Sequence, residues 1–599
     1  MNWRGSLFVK HLRLQRGLLL AASTAMLAEA LVIVALPLPM RFIMNHLLVP
    51  AKHGKSPWPF FLPHEWPDTS LLAAAAAWLA VLCVAAALVD ISQELWLARA
   101  VNRVIEGVRR DLLELLLTRR ADFVEGRHKA DIIGRLSGDT SNLEGLLTVG
   151  LPTLLRALPT LLMVLAVLAA LDRSFALAML AVVLVMYLLT SHFTRRVRSL
   201  EKVARNETNY LEEDAYQALQ AFPLIKSLSA ERATGDLLAA GIARITASTT
   251  GSQVAESWQS ASLTATKNFM RLMILLCGGW AVLRRDMLVG DLVLFLSYVD
   301  SVASPVNDLA KFSVKRAKAV IAMERIEELA REARAKPETE GDAEVDASAP
   351  LSLRLREASA AYPDGKTPVR DFSAAFGAGD LVAVVGMSGS GKTTFLRLLN
   401  RLLDPSAGEI RLGGRPLTDY RLDALRAEVT AVSQQTYFIA GTVRQNLCLA
   451  RRGPVADDEL WSALERVGAE ALVRALPGGL DAAIGEGGLK LSGGEERRLS
   501  VARAFLRPRR GVFAFDEPTA GLDPVSAARV TASLRGLAAD GAAVFWSTHR
   551  MEEAVAAGRV VFFRAGERPV MGAHAELLAS CPSYGAFINA SERSSAQAV

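Results

Sequence analysis

A run of small and basic residues at positions 386–394 has the composition of a phosphate-binding loop. The segment GMSGSGKTT follows the apolar run LVAVV and opens a stretch of helical character. Glycines let backbone N–H groups approach an anion closely, and the start of a helix offers further N–H donors. Lys392 supplies a cation, and Thr393 supplies a hydroxyl of the kind that binds Mg²⁺. The spacing therefore predicts a P-loop that holds the phosphates of a nucleoside triphosphate.

Two acids end a second apolar run, VFAFDEP, farther along the chain. In phosphoryl transfer, one such acid holds Mg²⁺ and another polarises the attacking water. Asp516 fits the first role and Glu517 the second. An acid pair after a strand is also compatible with a solvated strand end. The preceding P-loop favours the catalytic interpretation.

A third motif, LSGGEERRLSVARAF, begins at Leu491. Ser492, Gly493 and Gly494 stand at a predicted helix N-terminus, where N–H groups and the helix dipole favour a phosphate. A serine N-cap on a surface helix is the alternative for this segment alone. With the two earlier motifs in place, the chain resembles the ATP-binding cassette (ABC) family, in which this signature caps the nucleotide bound to the opposite subunit.

The resemblance assigns a role to each residue that matches a family motif. It implies that Tyr362 stacks on adenine, that Gln434 senses Mg²⁺, that Asp523 links the two ATP sites and that His549 contacts the γ-phosphate. The implied catalytic residues are Glu517, His549 and Lys392, and the implied Mg²⁺ ligands are Thr393, Gln434 and Asp516. The implied ATP contacts are Tyr362, Gly386, Ser388, Gly389, Ser390, Gly391, Lys392, Thr393, Thr394, Gln434, Ser492, Gly493, Gly494 and Asp523.

Three positions depart from the family pattern. Glu495 ends the signature where glutamine is usual, Ser433 precedes the loop glutamine where proline is frequent, and Ala483 replaces a frequent glutamate. None of these changes removes a catalytic group. The sequence therefore predicts a site that is competent for hydrolysis, with ATP and Mg²⁺ as cofactors.

The motifs lie in the second half of a chain that is too long for one hydrophobic core. Its 599 residues are 51% hydrophobic, and the apolar excess is concentrated in the first half. Residues 71–89, for example, form an uncharged run long enough to cross a bilayer. Residues 335–350 are rich in acids, alanine and proline and predict a linker, after which short strand-like runs alternate with helices. The predicted spans are 17–44, 71–100, 145–171, 174–192, 258–283 and 287–310.

The fold class follows from this division: a multi-domain membrane protein with an all-α, six-helix transmembrane domain and an α/β P-loop nucleotide-binding domain. The predicted domains are residues 1–334 and 351–599, joined by the linker. The net charge of +6 does not indicate nucleic acid, because arginines crowd the predicted cytosolic helix ends, as at Arg109 and Arg195. We expect membrane lipid, and no nucleic acid, as a partner.

The resemblance extends to the first half. Segments such as DFVEGRHKADIIGRLSGDT look like exporter-type half-transporters, which include bacterial lipid flippases and multidrug exporters. This implies a homodimer, or a heterodimer with a second half-transporter, in the bacterial inner membrane, with the nucleotide-binding domain in the cytoplasm. Bends near 121–130 and 213–224 are expected to be coupling helices that dock on the cassette.

The function expected from these observations is ATP-driven translocation of a small amphipathic or lipophilic substrate by alternating access. Two alternatives stay open: an importer of a metal chelate on the same architecture, and a cassette ATPase that regulates or assembles another membrane protein. Charges inside predicted spans are candidate cavity residues, because they are costly there. They either contact substrate or pair with one another or snorkel, and they are Glu29, Asp90, Lys267, Arg271 and Asp300.

Overall fold

A computed structural model describes residues 6–48, 66–127, 129–284, 286–335, 338, 340–346, 352–362, 365–451, 453–485 and 488–597. The chain divides into two compact units, Met1–Leu117 with Arg127–Ala335, and Thr118–Gly126 with Lys336–Val599. Within the predicted linker, residues 336, 337, 339 and 347–350 lie outside the described part of the chain.

The regular elements described in the first unit are all helices. Short π-helical turns at Arg135–Asp139, Thr153–Ala157 and Ile274–Gly278 join consecutive helices, and another, Ile43–Leu48, extends α3. The helices are α1 Leu7–Leu14, α2 Arg16–Ala35, α3 Leu38–Phe42, α4 Asp68–Leu117, α6 Lys129–Gly134, α7 Thr140–Pro152, α8 Leu158–Leu171, α9 Arg173–Gln220, α10 Phe222–Ser227, α11 Glu231–Met273, α12 Gly279–Leu283 and α13 Val289–Ala335; α5, Ala121–Glu125, belongs to the second unit.

Five helical runs in the described residues are long and apolar enough to cross a membrane. They are Arg16–Leu47, Asp68–Leu117, Lys129–Leu171, Arg173–Gln220 and Val289–Ala335. The predicted span 258–283 lies in the continuous run formed by α11 and α12, whose polar residues keep it out of this group. The helical transmembrane architecture is confirmed, and the count of six spans stays a prediction.

One side of α13 is fixed by contacts with the α2–α3 region. The Tyr298 hydroxyl, fully buried, donates to the Val34 carbonyl at 2.6 Å. Gly290 N donates to Asn45 Oδ1 at 2.7 Å, and Arg41 Nε pairs with Asp291 Oδ1 at 2.5 Å. Because successive helical residues are separated by about 100°, these contacts leave the Asp300 side of α13 facing away from the packed side.

The second unit is an α/β domain, as the alternation of short strands and helices predicts. Its strands are β1 Leu353–Ala360, β2 Val369–Phe376, β3 Leu381–Gly386, β4 Ala407–Leu412, β5 Arg415–Pro416, β6 Val429–Val432, β7 Gly441–Thr442, β8 Ala483–Ile484, β9 Val512–Asp516, β10 Ala543–Ser547, β11 Arg559–Phe563 and β12 Val570–Gly572. Its later helices are α14 Lys392–Leu399, α15 Leu422–Glu428, α16 Val443–Cys448, α17 Asp457–Arg466, α18 Glu470–Ala475, α19 Gly493–Phe505, α20 Pro524–Ala539, α21 Met551–Val555, α22 His574–Ser580 and α23 Pro582–Gln597.

A six-stranded sheet in the order β12-β11-β3-β10-β9-β6 forms the centre of this unit. Five of its strands run parallel, and β12 pairs antiparallel with β11 at one edge. A second, antiparallel sheet has the order β2-β1-β4-β5. Apolar residues of β3, β9 and β10 are buried on both faces of the large sheet, as is typical of parallel strands covered by helices.

The short helix α5 packs with this unit although it lies far away in sequence. Arg120 Nη1 pairs with Asp404 Oδ2 at 2.7 Å, and Glu125 Oε2 pairs with Arg397 Nη1 at 3.0 Å. The buried Phe123 lies between these two ion pairs along the chain. Residues 118–126 are therefore an integral part of the C-terminal unit.

Candidate functional site

Four of the predicted motifs follow four neighbouring parallel strands. The P-loop follows β3, His549 follows β10, the acid pair ends β9, and Gln434 follows β6. Because these strands are adjacent and parallel in the sheet, their carboxyl ends meet at one edge. The sheet order thus brings together residues that are up to 163 positions apart, from Gly386 to His549.

The P-loop has a backbone that requires its glycines. Gly386, Gly389 and Gly391 have φ angles of 148°, 77° and 114°. A Cβ at Gly386 would lie 2.4 Å from the Phe563 carbonyl oxygen, and one at Gly391 would lie 2.4 Å from the Pro368 carbonyl oxygen. A side chain at either position is therefore excluded both by conformation and by space.

Lys392 begins α14, and its side chain turns back over the loop. Its Nζ donates to the carbonyl oxygens of Gly386 at 2.8 Å and Met387 at 3.0 Å. Burial lowers the pKa of Lys392, and the negative charges of Glu517 and Asp516 partly oppose that shift. Ser390 Oγ is also buried and has no hydrogen-bond partner among the described residues. A buried cation and an unpaired hydroxyl over a glycine cradle fit a bound triphosphate.

The acid pair is held by a buried serine on the neighbouring strand. Ser547 Oγ donates to Asp516 Oδ1 at 2.5 Å and accepts from Glu517 N–H at 2.8 Å. Glu517 has a φ of 50°, which a residue with a side chain adopts rarely. The turn after β9 is thus held by Ser547, and it directs the Glu517 side chain away from the strand.

Two polar groups contact the Glu517 carboxylate. His549 Nε2 lies 2.7 Å from Glu517 Oε1, and Gln434 Nε2 donates to Glu517 Oε2 at 3.0 Å. Arg497 holds the backbone before this contact by donating to the carbonyl oxygens of Ser433, at 2.9 Å, and Gln434. Burial lowers the pKa of Arg497, and the nearby Glu517 and Asp516 charges partly oppose the shift.

The signature residues lie at the start of α19, as predicted. Ser492 is the N-cap: its Oγ accepts from Glu495 N–H at 3.3 Å, and Glu495 Oε2 accepts from Ser492 N–H at 2.7 Å. Glu495, which departs from the family pattern, therefore completes a capping box. Asp523 caps α20 by accepting from Ser526 N–H at 2.9 Å. Hydrogen bonding by the Ser526 side chain, and then by its backbone N–H, lowers the pKa of Asp523.

The predicted site residues divide between two cavities of the second unit. One is lined by Ser492, Gly493, Gly494 and Asp523, and the other by Thr393 and Asp516; Gln434 borders both. Tyr362, predicted to stack on adenine, lies beside the P-loop helix, with its hydroxyl 3.2 Å from Thr394 Oγ1. The exposed Ser388 lies in the loop itself.

The second cavity suits Mg²⁺ by its chemistry. Thr393 offers a hydroxyl oxygen, Asp516 a carboxylate and Gln434 an amide oxygen, and all three line the same space. Hard oxygen ligands of this kind are those that Mg²⁺ prefers. Thr393, Asp516 and Gln434 are accordingly the residues that would hold the ion, which would supply positive charge to the phosphates.

Comparison with known proteins agrees with this geometry. The family described as ABC transporter transmembrane region matches residues 19–306, and the family described as ABC transporter matches residues 369–520. The chain belongs to the ABC transporters. The cassette is therefore the part that binds ATP, and the protein is an integral membrane half-transporter whose ATPase activity is coupled to transport.

The chain is similar to bacterial ABC transporters and has the fold of a solved ABC exporter. A multidrug resistance ABC transporter ATP-binding and permease protein of Lactococcus lactis subsp. lactis is 26% identical over 81% of this chain and 82% of its own length. An uncharacterized ABC transporter ATP-binding protein of Mycobacterium tuberculosis is 32% identical over 56% of this chain and 58% of its own length. A bacterial Atm1-family ABC exporter with ATP bound has the same fold, with a TM-score of 0.76 and 20% identity over 96% of this chain and 99% of that chain.

The five candidate charges that the sequence indicates in the ABC transporter's membrane unit form three groups. Glu29 is buried and pairs with Arg156 at 3.4 Å, and Asp90 accepts from Gln93 Nε2 at 3.0 Å. Lys267 Nζ and Arg271 Nη2 both contact Asp300, at 2.7 Å and 2.6 Å. Pairing with one another, one of the alternatives that the sequence leaves open, occurs among Lys267, Arg271 and Asp300, whereas Glu29 and Asp90 have other partners. Contact of these residues with substrate stays a prediction.

Two residues that position the cassette site were not among the site residues predicted from the sequence. Ser547 stands two residues before His549, and Arg497 stands within the signature helix. Ser547 ends a strand of buried residues, and a polar residue in such a place is a usable signal. The role of Arg497 depends on the packing of α19 beside the segment 433–434, which local sequence does not reveal.

Proposed function

We propose that this transporter moves a small amphipathic or lipophilic compound across the bacterial inner membrane by alternating access, as a dimer with two composite ATP sites. The observation that carries the proposal is the separation of the two phosphate-binding motifs. Ser492–Gly494 line one cavity with Asp523, while Thr393 and Asp516 line another. Each chain thus offers two half-sites, which a second chain would complete.

The residues on the P-loop side would bind and orient the triphosphate. Lys392 would turn from the loop carbonyl oxygens to the phosphates, and the loop N–H groups would cradle them. Glu517 would accept a proton from the attacking water, and His549 and Gln434 would fix its orientation through the contacts they already make. ATP would stabilise the closed pair of cassettes, and hydrolysis would release it.

Mixed dimers test the composite sites. Lys392→Ala disables the P-loop, and Gly493→Asp places a negative charge at the signature without a clash, because the space around Gly493 is open. Each variant alone should lack ATPase activity. Coexpression of the two variants with different tags, followed by tandem purification, yields the mixed dimer. In one of its two sites the P-loop and the signature are both intact. Restored ATPase activity supports the proposal, and a mixed dimer as inactive as its parents contradicts it.

Reconstitution tests the transport step. Purified protein in proteoliposomes should move an amphipathic substrate away from the side that carries the cassettes, and Glu517→Gln should stop the movement. Accumulation in the opposite direction would favour the importer. ATPase activity that no substrate stimulates would favour a regulatory ATPase.

A further inference from the structure

The charge cluster Lys267–Arg271–Asp300 differs in charge balance from the Arg41–Asp291 pair of the same unit. One carboxylate faces two cations, at 2.7 Å and 2.6 Å, so the cluster carries a net positive charge. Arg41–Asp291 is a one-to-one pair, with side chains only 14% and 15% exposed. In the cluster, by contrast, the side chains of Lys267, Arg271 and Asp300 are 29%, 45% and 57% exposed.

The cluster lies deep within its helices. At about 1.5 Å per residue, Asp300 is about 16 Å from the start of α13 at Val289, and Arg271 is about 18 Å from the end of α12 at Leu283. A bilayer core is about 30 Å thick, so the cluster would fall near its middle when the end of α12 and the start of α13 lie at one membrane surface. Asp90, in contrast, is about 33 Å from the start of α4 at Asp68, at the edge of the core.

A charged side chain that is partly exposed at that depth does not face lipid, because hydrocarbon does not solvate it. The side of α11 that carries the cluster is polar over several turns, and its residues are spaced by three or four. The stripe consists of Gln253, Glu256, Ser260, Thr264, Lys267 and Arg271, of which all but the partly covered Lys267 are exposed. Asp300 lies on α13 between the exposed Ser297 and Ser304. These surfaces are suited to a water-accessible path.

Other charges do not neutralise the cluster among the described contacts. Glu29 is buried and engaged by Arg156, and Asp291 is engaged by Arg41. Glu256 belongs to the same stripe but lies about 16 Å along the helix from Lys267. Asp300 holds the two cations side by side, which leaves part of their hydrogen-bonding capacity for a further acceptor.

We propose that Lys267 and Arg271, oriented by Asp300, bind the anionic head group of an amphipathic substrate. This inference rests on the proposed transport function and names its substrate class. The neighbouring apolar surfaces of the spans would accommodate the tail. Asp300 is a positioning residue here: it keeps the cations together and limits their net charge, so that release of the anion stays possible.

Binding and ATPase measurements on the full-length protein in phosphatidylcholine nanodiscs test the inference. The probes share a twelve-carbon chain and differ in head group: dodecyl phosphate, dodecyltrimethylammonium and dodecyl maltoside, each below its critical micelle concentration. Without nucleotide, dodecyl phosphate should bind about tenfold more tightly than the other two probes. Inorganic phosphate at the same concentrations should not compete, because it lacks the apolar tail; effective competition would overturn the amphiphile assignment.

Variants locate the effect. The double variant Lys267→Gln/Arg271→Gln should lose the preference for dodecyl phosphate, whereas the charge-conserving Lys267→Arg/Arg271→Lys should keep it. Asp300→Asn should strengthen the preference. Native mass spectrometry should find the same oligomeric state in all three variants. A preference that survives Lys267→Gln/Arg271→Gln, or a double variant that loses its dimer, would overturn the inference.

The two readouts separate this inference from the transport proposal. Equal binding of all three probes, with ATPase stimulation by each, would overturn the anion assignment and leave transport supported. Selective binding of dodecyl phosphate supports the anion assignment whatever the ATPase result. Failure of every probe to stimulate ATPase activity would count against the proposed transport.

Discussion

Two carboxylates, one in each unit, are each contacted by two polar partners. Glu517 in the cassette is held by His549 and Gln434, and Asp300 in the membrane unit is held by Lys267 and Arg271. In the cassette the partners orient the carboxylate, which is the group proposed to act. In the membrane unit the carboxylate orients the partners. The difference teaches that the same arrangement serves opposite purposes, according to which members carry the net charge.

The largest expected effect comes from Glu517→Gln. Glutamine retains the hydrogen-bonding size of the side chain but does not accept a proton, so ATP hydrolysis should fall on the order of 100- to 1,000-fold. ATP binding should persist. The matched control is Glu496→Gln, which changes a carboxylate that accepts from Thr436 at 2.8 Å. A Glu517→Gln protein that keeps a tenth of its activity would show that another group acts as the base.

A second prediction compares the two kinds of ion pair in the membrane unit. Asp291→Asn removes the carboxylate that pairs with the covered Arg41 and should lower the free energy of unfolding by about 3–5 kcal/mol. Asp300→Asn should be milder, because its partners are more exposed and water solvates them. Thermal unfolding of both variants in the same nanodiscs shows which variant loses more stability. If Asp300→Asn were the more damaging, the cluster would be structural and the comparison would fail.

Ser547→Ala should lower ATPase activity by about tenfold, because it releases both Asp516 and the Glu517 backbone. The stability loss should be about 1–3 kcal/mol, as for other buried polar groups left unpaired. Thr531→Ala is the control, since it removes a buried hydroxyl of α20 that donates to Ala527 O at 3.0 Å. Equal losses of kcat in the two variants would indicate a general effect of destabilisation.

The smallest expected effect is that of Glu495→Gln. Glutamine retains an acceptor for Ser492 N–H, so the capping box is preserved while a negative charge is removed near the phosphate-binding end of α19. The ATP concentration for half-maximal hydrolysis should fall about two- to threefold, since solvent screens the charge. Glu470→Gln, on α18, provides a control. An unchanged or higher half-maximal concentration would contradict this prediction.

Much of the cassette could be predicted because its motifs act over short distances. The glycines of the P-loop and Ser492 at the start of α19 depend on a few neighbouring residues, and each lies where the sequence predicts it. The N-cap role of Asp523 was not predicted. The meeting of Gln434, Glu517 and His549 depends instead on the order of β6, β9 and β10 in the sheet. Family resemblance indicated this grouping, whereas periodicity alone did not.

The membrane unit was less predictable at the level of contacts. Hydropathy located the apolar runs, but the pairing of Lys267 and Arg271 with Asp300 depends on how α11 and α13 are rotated about their axes. A spacing of four residues places the two cations on one side of a helix without naming the partner. For the same reason the sequence did not separate the exposed Asp300 from the covered Asp291.

The assignment of residues 118–126 to the C-terminal unit affects how the protein can be dissected. A fragment that starts at Lys336 would lose Arg120, the basic partner of Asp404, and Glu125, the acidic partner of Arg397. It would also expose the surface that this nine-residue segment covers. An isolated ATPase fragment should therefore gain solubility from the segment supplied as a peptide or fused through a flexible tether.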